Sequence, residues 1–86
     1  MHITVKNDKM LEAFKECRRT GRAIIKNPNI GIITALRKYE KQLNRLGYDF
    51  TVVYDRHKKA IFIYSTDIIQ VLGKKVYFNR FGSLLP

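Results

Sequence analysis

Residues 49–65 read Asp49-Phe50-Thr51-Val52-Val53-Tyr54-Asp55, then Arg56-His57-Lys58, then Lys59-Ala60-Ile61-Phe62-Ile63-Tyr64-Ser65. β-Branched and aromatic residues fill both flanks, and a polar cluster interrupts them. This is the composition of two strands, 49–55 and 59–65, joined by a turn around Asp55-Arg56-His57-Lys58. Side chains alternate along a strand. Pairing the two ends of this hairpin puts Thr51, Val53, Ile61 and Ile63 on one face and Phe50, Val52, Tyr54, Phe62 and Tyr64 on the other. A sheet that packs helices on one side draws its core from the aliphatic face, which leaves the aromatic face either open or covered by the last strand, the short helix or the tail.

Upstream of the hairpin the period changes to that of a helix. Ile32, Leu36, Tyr39, Leu43 and Leu46 recur at steps of four and three, predicting a helix over about 29–46 that Gly47 ends. Asn27-Pro28-Asn29 is the break ahead of it, with Pro28 suited to the first turn. An earlier helix over about 8–20 is read from Leu11, Phe14 and Arg18, with Asn7 or Asp8 as N-cap and Gly21 after its end. His2 to Lys6 alternates as a short strand, and residues 22–26 fit either a strand or a helical turn. Downstream, Ser65-Thr66-Asp67 resembles a helix N-cap before Ile68, Ile69, Val71 and Leu72, with a strand as the alternative. Residues 75–79 read as a last strand, and Phe81, Leu84 and Leu85 are expected to pack back from the tail. The expected architecture is one α+β domain, residues 1–86, with two helices on one face of a small, mainly antiparallel sheet.

Charge supplies the functional argument. The chain carries 17 Lys and Arg against 7 Asp and Glu, a formal net charge of +10 in 86 residues. Such an excess repels the compact state from itself and suits an anionic partner. The reading is non-enzymatic nucleic-acid binding, DNA or RNA undetermined, with phosphates met by Arg18, Arg19, Arg22, Lys38, Lys41, Arg45, Arg56, Lys58 and Lys59. Three groupings make up this set. Arg18, Arg19 and Arg22 cluster at a helix end, where the bidentate guanidinium suits phosphate. Lys38, Lys41 and Arg45 form a stripe on the second helix. Arg56, Lys58 and Lys59 charge the hairpin tip, as a wing would. Tyr54, Phe62 and Tyr64 are the candidate base-stacking rings. The run Ala60-Ile61-Phe62-Ile63-Tyr64 lacks the alternating glycine and aromatic pattern of the RNA recognition motif.

An acidic surface on a larger protein or nucleoprotein complex is the alternative partner, since aromatics beside arginine also make protein hot spots. A metal-independent ribonuclease would rely on His57 as acid or base, with Tyr54 nearby. No metal site is expected, because His2, His57 and Cys17 are scattered, and the five isolated glycines that include Gly31 and Gly73 form no phosphate loop, so no cofactor is implied. The lone Cys17 excludes an internal disulfide and is read as a buried small hydrophobe of a cytoplasmic protein. No apolar run approaches membrane-spanning length, and no membrane insertion is expected.

Overall fold

Two asparagines start the helices. The side chain of Asn7 accepts from the Met10 N–H at 3.0 Å, and that of Asn29 accepts from the Ile32 N–H at 2.8 Å. Each satisfies an N–H with no partner inside its helix, a contribution of about 1 kcal/mol. The computed structural model describes residues 1–79, so the expected packing of Phe81, Leu84 and Leu85 lies outside the described residues. In chain order the elements are β1 (His2–Thr4), α1 (Asp8–Thr20), β2 (Arg22–Lys26), α2 (Ile30–Arg45), β3 (Thr51–Asp55), β4 (Ala60–Tyr64), β5 (Ile68–Leu72) and β6 (Lys75–Phe78). Residues 22–26, open between strand and turn in the sequence, are a strand. Pro28 precedes the cap of α2 and does not enter its first turn.

Both helices stop where glycine follows. Gly21 takes φ +86° and lets α1 reverse into β2 with no intervening loop. At the end of α2, Gly47 takes φ +88°, its N–H donates to the Asn44 carbonyl, and the Tyr48 N–H donates to the Leu43 carbonyl. These two bonds are the Schellman arrangement that satisfies the last carbonyls of a helix.

The fold is α+β, with two helices packed on antiparallel sheet, as expected. The strands form two three-stranded sheets, in the orders β1-β6-β5 and β2-β4-β3. A polar corner explains the division. The Ser65 hydroxyl donates to the Asp49 carbonyl at 2.6 Å, the Thr66 N–H and hydroxyl donate to the Asp49 carboxylate, and the Asp49 N–H donates to the Asp67 carboxylate at 2.6 Å. The chain leaves β4 through this corner and enters the other sheet. Ser65 and Asp67 are buried there, and hydrogen bonding offsets the cost of taking them out of water.

Residues 68–72 are a strand, not the short helix that their spacing matched. Asp67 spends its carboxylate on Asp49 and does not cap a helix. The register of β5 on β6 slips between Ile68 and Gln70, so Ile69 is an extra residue in the strand. That bulge sets Ile68 and Val71 against the core at a separation of three, which imitates a helical period.

One aromatic line ties the layers together. Phe14 of α1 stacks on Phe50 with centroids 5.8 Å apart, Phe50 meets Phe78 of β6 edge-on at 6.1 Å, and Phe14 meets Tyr39 of α2 at 6.4 Å. Around it Leu36, Leu43, Ile61, Ile63, Val5 and Val76 are fully buried. Phe50, placed by the alternation on the aromatic face of the hairpin, lies in the core just ahead of β3.

Candidate nucleic-acid interface

The faces of the hairpin follow from its register. β3 and β4 pair Thr51 with Tyr64, Val53 with Phe62 and Asp55 with Ala60, so the turn holds four residues, 56–59. Lys59 joins the turn because its backbone takes φ +49°, in the left-handed region. An Asp55 carboxylate oxygen braces the turn by accepting from the N–H groups of His57 and Lys58 at 3.0 and 3.1 Å. Compared with a turn ending at Lys58, this slides β4 by one residue and exchanges its faces. Ile61, Ile63, Val52 and Tyr54 turn inward, while Phe62, Tyr64, Thr51 and Val53 turn outward.

β2 completes the outward face. It pairs Arg22 with Tyr64, Ile24 with Phe62 and Lys26 with Ala60. Three strands thus present one row of Ile24, Phe62 and Val53 and a second row of Arg22, Tyr64 and Thr51. The Ser65 N–H donates to the Gly21 carbonyl and the Asn27 N–H to the Lys59 carbonyl, which frames the ladder. Ala23 and Ile25 then make the bonds to β4. Ile24 and Phe62 form a non-hydrogen-bonded pair, the closer of the two pair types. Ile24, Val53 and Tyr64 remain 46%, 47% and 42% exposed, so no described element covers this face. The Lys58 ammonium stands 5.8 Å from the centroid of the Phe62 ring, a cation–π contact worth about 0.5–1 kcal/mol at an exposed site. A shallow groove along the edge of β2 reaches this face between Thr20, Arg22, Ile24, Phe62 and Tyr64.

The cation groupings separate. Arg18 donates from Nε to the Ile69 carbonyl at 3.1 Å and helps hold β5 on α1. Arg19 pairs with Glu16, and Arg22 belongs to the outward sheet face. Lys38, Lys41 and Arg45 lie together on the solvent side of α2, where they line a groove with Gln42 and Leu46. Arg56, Lys58 and Lys59 are exposed at the tip. Of the three rings, Phe62 and Tyr64 share the open face, and Tyr54 is packed against the core from the other side. His57 is exposed in the turn, on a different surface from Tyr54. Val53, expected on the aliphatic core face, is instead outward, and Ile24 and Lys26 join the face from β2, a placement that the alternation of Arg22-Ala23-Ile24-Ile25-Lys26 carries once those residues are a strand.

The acids do little to neutralise these cations. Glu12 and Glu16 make the two ion pairs found among the described residues, with Lys15 and Arg19 on α1. Exposed pairs of this kind contribute about 0–1 kcal/mol. Glu40 accepts from the Val52 N–H at 2.7 Å, covering part of the outer edge of β3. Asp49, Asp55 and Asp67 accept from backbone N–H groups in the corner and the turn, and Asp8 sits in the first turn of α1. Four of the seven carboxylates therefore accept from backbone N–H groups. Cys17 is buried beneath this region with its thiol donating to the Ile63 carbonyl at 3.4 Å, and burial pushes its pKa up to about 11. It is a packing residue without nucleophilic character at neutral pH. Among the described residues no helix is long and apolar enough to cross a membrane. Comparison with protein-family models, curated proteins and solved structures gives no match to this chain.

Proposed function

We propose that this protein binds nucleic acid without transforming it, holding phosphates against its Lys and Arg surface. One observation carries the reading: among the described residues only Lys15 and Arg19 pair with a carboxylate, so most of the cations behind the +10 net charge have no ion-pair partner. A chain with this excess keeps a positive field around itself, and polyanions respond to that field most strongly. Arg22 and the cations of the hairpin tip and α2 are the phosphate contacts of this reading. Arg18 and Arg19 contribute less, since part of their hydrogen-bonding capacity is already used.

Fluorescence anisotropy with labelled single-stranded RNA, single-stranded DNA and duplex DNA across a salt series tests it, with electrophoresis of the RNA afterwards. The expected result is binding that weakens steeply with salt and leaves the RNA intact. Failure to bind any of the three at low salt sinks the reading. Cleaved RNA would replace it with a nuclease. The second reading is a regulator docking on an acidic protein surface, favoured by the exposed row of Ile24, Phe62 and Val53. That reading requires a protein partner whose binding nucleic acid does not displace.

A further inference from the structure

We infer that the outward face of β2-β4-β3 is a platform for two unstacked bases of a single-stranded nucleic acid, one on Phe62 and one on Tyr64. Arg22, Lys26 and Lys58 face the phosphates beside them. The inference rests on the proposed nucleic-acid binding and names its substrate class.

The spacing of the rings carries the selection. Phe62 and Tyr64 are two residues apart on one strand, so their Cα atoms are separated along it by about 6.8 Å. Bases in a duplex strand rise by about 3.4 Å. Adjacent stacked bases therefore cannot each occupy one of these rings, whereas a single strand with its bases splayed apart can. A duplex buries its base faces and has none to offer. The platform has further support from its neighbours. Ile24 and Val53 flank Phe62 on the adjacent strands and present a continuous apolar floor about three strands wide. Thr51 and Arg22 flank Tyr64 in the same way, with Arg22 placed to reach a phosphate beside a stacked base.

Charge identifies the occupant. The cations at the margins of this floor are Arg22, Lys26 and Lys58; of the two acids beside it, Asp55 has an oxygen turned to the backbone of the tip, and Glu16, at the groove by Arg22 and Tyr64, is paired with Arg19. A second copy of the chain would bring the same cations against these. An apolar floor edged by cations matches a ligand with flat apolar faces and a negatively charged backbone. Lys58 already rests over Phe62, which shows the ring face accessible to a partner. Its flexible stem can swing aside to a phosphate, because a cation over an exposed ring is held less firmly than a stacked base.

The test uses the full chain, which contains no tryptophan. Phe62→Trp retains a flat ring and introduces a fluorophore on the platform; Leu72→Trp places one at an exposed position of β5, in the other sheet, as a control. The probes are short labelled oligo-uridine, oligo-deoxythymidine and a duplex of equal length. The expected results are tighter binding of a single strand than of the duplex and quenching of the Phe62→Trp signal but not of the Leu72→Trp signal. Phe62→Leu, which preserves apolar bulk without the aromatic face, is expected to weaken single-strand binding by about 5- to 150-fold, while Tyr64→Phe retains it. The relative response to oligo-uridine and oligo-deoxythymidine separates RNA from DNA. Salt-sensitive binding that favours neither single strand nor duplex and ignores Phe62→Leu would overturn the platform and leave the proposed function standing. Absence of binding by every probe at low salt would overturn both. A dimer that Phe62→Glu dissociates would assign the face to a second copy of the chain and overturn the inference.

Discussion

Neutralising the platform one charge at a time gives a quantitative prediction, because the slope of log K against log salt counts the phosphates a protein neutralises. For a single strand the slope is about −0.7 per phosphate. Arg22, Lys26 and Lys58 border the Phe62 and Tyr64 rings, and binding on that face alone engages three phosphates. The expected slope is about −2, so affinity falls about 16-fold between about 50 and 200 mM salt. The α2 stripe of Lys38, Lys41 and Arg45 lies across the helix layer from the platform, and a strand gripping both surfaces would roughly double the slope. Anisotropy with oligo-uridine at five or so salt concentrations measures this directly. Lys26→Gln is expected to flatten the slope by about 0.7, and Lys74→Gln, in the exposed turn between β5 and β6, to leave it unchanged. A slope that responds to Lys41→Gln but not to Lys26→Gln would place the nucleic acid on α2 and refute the reasoning. A flat salt response would remove the phosphates from the account altogether.

Three other consequences can be measured on the free protein. The Cys17 thiol is pushed from 9.0 to about 11 in the folded chain, chiefly by burial. Below pH 9 the thiol is protonated in both states; above it the unfolded state loses the proton first, so stability is lost as pH rises towards 11. The loss is about 1 kcal/mol at pH 10, and it is read as the difference between the native protein and Cys17→Ala in urea titrations at pH 8 and pH 10. Equal losses in the two proteins would contradict it. Lys59→Gly relieves a left-handed residue and is expected to raise stability by about 0.5–1 kcal/mol, net of the added freedom of the unfolded chain, while costing the tip one cation; a lower melting temperature would show that the turn depends on the side chain. Self-pairing of β2, antiparallel about Ile24, would set Arg22 against Lys26 of the second copy. Sedimentation of the native protein at low salt should therefore show a monomer. Lys26→Glu, which makes that pair attractive, is expected to add a concentration-dependent dimer, and a native dimer through this edge would refute the argument.

Legibility in the sequence depended on whether a feature was local. Asn7, Asn29, Gly21 and Gly47 act within a few residues of themselves, and the helix limits they mark agree with the structure to within a residue or so. The hairpin was equally legible as a pair of strands. Its faces were not, because they depend on whether Lys59 belongs to the strand or to the turn. A lysine in the left-handed region carries no sequence signal of the kind glycine or asparagine would. That one residue decided whether Tyr54 shares a face with Phe62 and Tyr64. β5 failed for a related reason: the extra residue at Ile69 broke the period of two and left a spacing that imitates a helix. The candidate site was legible as a set of residue types. Its membership, above all the contribution of Ile24 and Lys26 from a strand distant in sequence, required the β2-β4 register.

The position of Lys59 also bears on what the hairpin tip is for. A glycine there would satisfy the backbone at no steric cost, and the left-handed conformation costs any other residue about 1–2 kcal/mol. The chain accepts that cost next to Lys58, whose ammonium rests over Phe62, and the same turn is braced by an aspartate whose carboxylate neutralises no neighbouring lysine through an ion pair. The β2 edge shows a parallel choice. Its open backbone positions alternate Arg22, Ile24 and Lys26; the Thr20 hydroxyl occupies the backbone groups of Arg22, and charge flanks the exposed Ile24 on both sides. Cations on an edge discourage pairing with another strand, while the face they border keeps its apolar floor open. The residues whose charge would repel another copy at this edge are thus the residues proposed to hold phosphate, and both roles rest on the same arrangement of charge.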